Sequence, residues 1–253
     1  MRKYTRRKRL LAEPLSKQRQ QILKKRFPAF SLLPPDVRDR LVSVMNVFLD
    51  EKRFEACGGL SEVTEEMKVL VAAQACLLLA GLDKHGYFPR LRSILIYPNA
   101  YQDRRRRTFD LQRESNDVRL GESWDSGSVV LAWKSVVKGA KHEDDGVNVV
   151  YHEFAHQLDQ IDYSADGAPP LLNAGNYKKW AEVFGREYEK LVEAAEDPGS
   201  DPLLDTYGAK NPAEFFAVAT EAFFEIPKDL KKEHPDLYEQ LAIYYGVDPS
   251  RWM

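Results

Sequence analysis

The stretch Val149-Val150-Tyr151-His152-Glu153-Phe154-Ala155-His156-Gln157-Leu158-Asp159 decides how this chain is read. It carries the pattern H-E-x-x-H inside an apolar run with helical spacing. Residues four apart on a helix lie one above the other on the same face. His152 and His156 can therefore hold one metal ion between them, with Glu153 beside it. Two neutral imidazoles and an adjacent carboxylate are the parts needed to bind zinc and to activate a water on it. The bare pattern arises by chance in on the order of one chain in a hundred of this length, so context has to narrow it. Val149, Val150, Phe154, Leu158 and Ile161 supply an apolar surface at helical spacing. That surface packs the helix into a core and leaves the histidines facing a cleft.

A catalytic zinc usually takes three protein ligands and keeps one position for water. The remaining histidines stand at positions 85, 142 and 234. His142 lies in a charged loop beside Glu143, Asp144 and Asp145, with no spacing that points it at the cleft. The better candidate is Glu214, within Asn211-Pro212-Ala213-Glu214-Phe215-Phe216-Ala217-Val218-Ala219-Thr220-Glu221-Ala222-Phe223-Phe224. The same residues also read as a capping box. Asn211 is the N-cap, Pro212 the first helical residue, and Glu214 stands three after the cap, where it could bond a backbone N–H. Glu221 is two turns further along the same face and is a rival ligand. Asp159 and Asp162 are further rivals, and Asp159, one turn past His156, is also placed to orient a histidine. Spacing alone leaves these alternatives open.

These residues resemble a known family. H-E-F-A-H-Q-L-D, a loop tyrosine at Tyr207, and N-P-A-E-F-F-A-V-A-T-E-A-F-F are similar to the bacterial zinc-peptidase family of Mlc titration factor A. So are Arg119 to Trp124, Gly127 to Trp133, and the Thr64 to Gly81 stretch with its Ala72-Ala73-Gln74-Ala75-Cys76-Leu77 core. The resemblance spans residues 20 to 245. It implies a mostly helical α+β fold, a zincin-like metallopeptidase core with a small β-sheet around the HExxH helix. It implies one Zn2+ held by His152, His156 and Glu214, with Glu153 as general base. Tyr207 matches a tyrosine that assists the transition state in related lethal-factor-like zincins. It further implies a cytoplasmic protein with aminopeptidase-type activity on short peptides, and a transcriptional repressor, regulated by sugar, as binding partner. The N-terminus, Arg2-Lys3-Tyr4-Thr5-Arg6-Arg7-Lys8-Arg9, is more basic than the family pattern.

Composition sets the outer limits. A chain of 253 residues with 43% hydrophobic content can bury a sizeable core, and a net charge of −2 gives no global field for nucleic acid or membrane. Two cysteines, Cys57 and Cys76, are too few for a disulfide scaffold and read as reduced thiols. The basic N-terminus lacks the apolar segment of a signal peptide. The longest apolar run, Val69 to Leu82, is broken by Gln74 and Gly81 and is too short to span a bilayer.

Residues 1–60 read as a basic N-terminal helical extension and 61–253 as the metallopeptidase domain. Asp36 to Leu49 reads as an amphipathic helix. Thr64 caps the next helix and Gly81 ends it. Leu91 to Tyr97 reads as a strand, Arg104 to Arg107 as a solvated loop, and Ser128 to Val137 as a strand pair or a strand plus loop. An exposed edge there could take a peptide as an added strand. Pro169 to Gly175 is a loop, Tyr177 to Ala195 a helix, and Pro235 to Tyr245 a helix stopped by Gly246. Asp197 to Tyr207 reads as a loop walling the cleft, with Gly199 and Gly208 letting it open and close over the metal. The leading functional expectation is a zinc-dependent peptidase that acts on peptide substrates and also binds a transcriptional repressor. The alternative is a non-catalytic regulator-binding protein with a latent or structural zinc site. Direct nucleic-acid binding is disfavoured, because the chain is acidic overall and carries no recognised motif for it.

Overall fold

The structure is a computed structural model that describes residues 2–82, 86–99, 127–141, 144–171 and 173–252. His85, Arg104 to Arg107, Arg119 to Trp124 and His142 lie outside the described residues. The fold is mostly helical α+β with a small parallel sheet. Four helices open the chain: α1 Arg2–Ala12, α2 Lys17–Arg26, α3 Ala29–Leu32 and α4 Pro35–Glu51. Pro35 takes the first turn of α4, where its missing N–H costs nothing.

Strand β1 (Arg53–Ala56) leads to helix α5 (Glu65–Leu77), and strands β2 (Ser93–Tyr97) and β3 (Ser128–Ala132) follow. The order is β1-β2-β3, all parallel, with Phe54 opposite Ile94 and Ile96 opposite Leu131. Parallel neighbours need a crossover between them, and α5 supplies the one from β1 to β2. Ile94, Ile96, Val129 and Leu131 are buried while Ser93, Leu95, Ser128 and Val130 are half-buried, the alternation of a sheet with one face on the core.

Thr64 caps α5 through its Oγ1, 3.3 Å from the N–H of Met67. The helix ends at Leu77, four residues before Gly81. Gly81 has another role: a Cβ there would lie 2.1 Å from the carbonyl oxygen of Tyr245, so a bare backbone is needed where two segments touch. The stretch after β3 also differs from its sequence reading. Trp133–Ala140 is a helix, α6. The pair Val136-Val137 looks strand-like, but Val136, Gly139 and Ala140 are buried on one face at helical spacing.

The motif helix α7 (Val149–Asp159) is followed by the long α8 (Ala174–Glu196), then α9 (Pro212–Glu225), α10 (Pro227–Glu233) and α11 (Pro235–Tyr245). Phe154 points from α7 into the core, with ring centroids 4.8 Å from Phe88 and 5.7 Å from Phe48 of α4. Burying such a ring contributes about 1.5–3 kcal/mol. On the far side Trp180 of α8 stacks on Phe184 at 3.8 Å and meets Phe216 of α9 edge-on at 5.8 Å. Between these two aromatic groups, α7 and α9 are held side by side.

The basic N-terminal helices lie on acidic partners. Arg7 makes a two-pronged pair with Glu51 at 2.6 and 2.7 Å, and Arg6 bonds Asp50. Arg19 of α2 meets Glu65 at 2.6 Å, and Leu23 and Phe27 are fully buried. No described helix is long and apolar enough to cross a membrane.

Candidate metal centre

Three side chains converge between α7 and α9. His152 Nε2 lies 3.3 Å from His156 Nε2, and Glu214 Oε2 lies 3.0 Å from the first and 3.2 Å from the second. Among the described residues these three alone form a group that could hold a metal ion. The triangle can be tested against zinc chemistry. Ligands about 2.0–2.1 Å from a tetrahedral ion stand roughly 3.3 Å apart. The three observed edges are close to that value. Two imidazole nitrogens facing each other across one carboxylate oxygen are poorly explained by hydrogen bonding alone, so the donor set fits a small divalent cation.

Local sequence sets the geometry. Asn148 caps α7, its Oδ1 accepting from the N–H groups of Val150 and Tyr151 at 3.0 and 3.1 Å. The helix then carries His152 and His156 one turn apart on one face, with ring centroids 4.9 Å apart. Asn211 caps α9 with its Oδ1 3.0 Å from the Glu214 N–H. The cap expected from sequence is therefore present, yet the Glu214 side chain turns to the histidines.

Glu221 is not in the triangle. Its Oε1 accepts from His152 Nδ1 at 2.7 Å and its Oε2 from the Asn148 N–H at 2.5 Å. With a metal ion in the triangle, that bond would keep the imidazole proton on Nδ1 and free the Nε2 lone pair for the ion. Asp159 and Asp162 are also elsewhere. Asp159 is fully buried and accepts from the Gly167 N–H at 3.1 Å, while Asp162 accepts from Ser164 at the surface. Asp159 thus pins the loop after α7 and does not orient a histidine. His234 bonds Glu187 at 2.8 Å, tying α8 to the start of α11.

Tyr207 sits in a 3-10 turn, Thr206–Lys210, packed against α8 and α9. Its ring is 5.9 Å from that of His152, and its hydroxyl donates to Glu214 Oε1 at 3.4 Å. Gly208 lets the turn sit this close: a Cβ there would be 3.0 Å from Leu191 and 3.3 Å from Val218. The loop expected to open and close over the cluster has Tyr207 already facing it.

Electrostatics are dominated by burial. Burial raises the Glu153 carboxyl to about 8, with Glu214 and Glu221 adding to the effect and His152 opposing it. Burial works against a charged His152, but the Glu221 and Glu214 carboxylates outweigh it and hold the ring well above its ordinary value. His156 is pushed down by burial. Glu214 is held well below the usual carboxylate range because its bonds to both imidazoles outweigh burial. The Tyr207 phenol is pushed up by burial and the nearby carboxylates, so it stays a donor at neutral pH. Three acidic groups crowded around two imidazoles resist full ionisation together, and a divalent cation among them would relieve that crowding.

Sequence reasoning passed over Asn148, Gln74 and Glu225. Asn148 Nδ2 donates to Gln74 Oε1 at 3.0 Å and to Glu225 Oε1 at 2.8 Å. A signal existed for two of them. An asparagine immediately before an apolar helical run is a cap, and a lone glutamine in the apolar α5 needs a buried partner.

Comparison with known proteins agrees with this geometry. The family model described as Glucose-regulated metallo-peptidase M90 matches residues 1–246. A protein named uncharacterized protein slr2042, from Synechocystis sp., is 40% identical over 247 residues, covering 96% of this chain and 89% of its own length. Mlc titration factor A of Yersinia pestis (strain Pestoides F) and that of Yersinia pseudotuberculosis (serotype O:1b, strain IP 31758) are each 28% identical over 236 residues. Those matches cover 89% of this chain and 84% of theirs. With His152, His156 and Glu214 converging as a metal centre requires and the family match running through residue 246, the chain belongs to the glucose-regulated metallo-peptidase M90 family, that of Mlc titration factor A.

Proposed function

We propose that the protein is a zinc-dependent peptidase of the HExxH…E type, with a zincin-like site and aminopeptidase-type activity on short peptides. The observation that carries this reading is the donor triangle of His152, His156 and Glu214, with edges of 3.0–3.3 Å. Zinc in that triangle would polarise the scissile carbonyl and lower the pKa of a water toward about 7. Glu153 then takes the proton from the attacking water and delivers it to the leaving amine. Burial raises this carboxyl, and a divalent cation in the triangle would draw it back toward the carboxylate form that a base needs. Tyr207 donates its phenolic hydrogen to the developing oxyanion. Glu221 holds His152 in the right tautomer. The acidic surroundings of the cluster favour a peptide's free amino group over a free carboxylate.

β3 is at one edge of the sheet among the described residues and packs on α7, which supports docking of an extended peptide along it. Leu131 is fully buried, so proline there would disturb the core. Val130, half-buried, is the better probe. Val130→Pro should lower kcat/KM while leaving bound zinc.

The residues with chemical roles all lie within 61–253. Residues 1–60 supply helices and one strand, so we treat the division at 60 as one of chemistry. We further propose a second role, capture of a transcriptional repressor in the cytoplasm; that the Yersinia relatives are named titration factors supports a binding role. The test of the leading reading is peptide release by purified protein with and without chelator, alongside Glu153→Gln. Loss of hydrolysis in both arms supports it. Hydrolysis unchanged by both would leave repressor capture, with a structural metal, as the better reading.

A further inference from the structure

Asn148 has every hydrogen-bonding group engaged. Its Oδ1 accepts from Val150 and Tyr151, and its carbonyl accepts from the His152 N–H at 3.0 Å. Its own N–H donates to Glu221, and its amide Nδ2 donates to Gln74 on α5 and Glu225 on α9. Gln74 is itself fixed, donating to the carbonyls of Leu70 at 3.0 Å and Val136 of α6 at 3.3 Å. Asn148 is 1% exposed and Gln74 fully buried, so no water can replace a lost partner cheaply. Gly139 of α6 closes the last side: a Cβ there would fall 2.6 Å from Asn148 Nδ2.

This asparagine does more than a cap requires. Capping uses Oδ1 alone. The Nδ2 bonds anchor the residue between two other helices, and the anchored backbone N–H is what Glu221 Oε2 accepts from. The other oxygen of Glu221 holds His152 Nδ1. A continuous buried chain of bonds therefore runs from Gln74 and Glu225 through Asn148 and Glu221 to the ring that faces the metal centre.

We propose that Asn148 is a positioning residue for the metal centre: its side-chain amide, clamped by Gln74 and Glu225, aims the Asn148 backbone N–H at Glu221 and so fixes the orientation and tautomer of His152. The inference rests on the reading of His152, His156 and Glu214 as zinc ligands. Asn, Asp and Ser cap helices about equally well, so capping and clamping can be separated. Asn148→Asp keeps the capping oxygen but sets an oxygen against Gln74 Oε1 and Glu225 Oε1. Glu225→Gln, added to it, restores a donor on the opposite side.

The experiment is a zinc titration of the purified full chain against a chromophoric chelator at neutral pH, with melting of the zinc-free proteins alongside. Asn148→Asp is expected to weaken zinc binding by roughly 10–100-fold, as loss of an outer partner of a metal ligand does. The double variant Asn148→Asp, Glu225→Gln is expected to recover most of that loss. The visible absorption of the cobalt-loaded proteins should shift in the single variant and return in the double. If Asn148→Asp does not accumulate, Asn148→Ser, which caps without adding charge, should show the same loss of affinity. Wild-type zinc affinity in whichever of these single variants is assayed would overturn the proposal, as would a double variant no better than Asn148→Asp. If His152→Ala abolishes zinc binding while Asn148→Asp leaves it intact, only this inference fails. If the wild-type chain takes up no zinc, the proposed function fails with it.

Discussion

Glu153 and Tyr207 are the two side chains proposed to act without holding the metal, and they divide the chemistry between them. Glu153→Gln removes the base and leaves the donor triangle intact. It should retain zinc and lose about 10²–10⁴-fold in kcat, measured by peptide release at saturating substrate. Tyr207→Phe removes one oxyanion donor and should cost roughly 10²-fold in kcat with little change in KM. Asp159 allows a separate prediction about stability. Its carboxyl is raised to about 7, because burial outweighs its bond from Gly167. A folded-state pKa above the unfolded value means that the folded protein binds the proton more tightly. The protonated group's stabilisation is complete below the unfolded pKa, near 4, and is lost as pH rises to about 7. Asp159→Asn should therefore gain stability over wild type as pH rises from 4 to 7, by on the order of a few kcal/mol, with a constant gain above 7. Denaturant unfolding at a series of pH values reads this directly, and a gain that shrinks with rising pH would contradict it. At this scale the sequence was most legible where chemistry and helical spacing coincide. His152, Glu153 and His156 could be read from four-residue periodicity. Glu214, Glu221 and Asp159 could not be ranked that way, because their relation to α7 depends on how helices distant in sequence pack.

At the scale of elements, α7 and α9 must keep a fixed spacing for one oxygen of Glu214 to reach both imidazoles. The loop after α7 helps to set that spacing. Gly167 has φ +75 and packs so closely on α9 that a Cβ would lie 2.3 Å from the Pro212 carbonyl oxygen. Its carbonyl accepts from Trp180 Nε1 at 3.0 Å and its N–H donates to Asp159. Gly167→Ala therefore combines an unfavourable backbone with a clash against an unyielding carbonyl. It should destabilise the protein by about 2 kcal/mol or more, measured by chemical unfolding, and weaken zinc binding as α9 shifts. Element types were mostly readable, because α4, α8 and α11 carry clear 3.6-residue periodicity. The miss at α6 has a physical reason. A short segment with two adjacent valines satisfies either period, and only the partners it packs against decide between them. The end of α5 was misplaced for a similar reason: Gly81 answers to a tertiary contact with Tyr245, which local sequence does not encode.

At the scale of the whole molecule, charge is unevenly spread. The first 26 residues hold eleven Lys and Arg and one acid, while the entire chain is at −2. That asymmetry looks like an arm for nucleic acid, yet several of these cations lie on acidic side chains of α4 and α5. Arg7 also lies over the Tyr87 ring at 4.8 Å. Arg7→Ala should cost about 1 kcal/mol and lower the Tm by roughly 2–4 °C, since this pair is two-pronged and half-buried. An unchanged Tm would mean that α1 is held by its other contacts: Arg6 on Asp50, the buried Leu10 side chain, and the Leu10 carbonyl that accepts from Asn46 Nδ2 at 3.3 Å.

The central claim is that His152, His156 and Glu214 together hold one catalytic zinc. The most direct measurement is metal content of the purified chain, by elemental analysis, coupled to peptide release before chelation, after chelation and after zinc is returned. One zinc per chain, with activity that disappears and comes back with the metal, is the expected result. A chain that carries no zinc, takes none up when it is offered, and behaves the same after His152→Ala would contradict it.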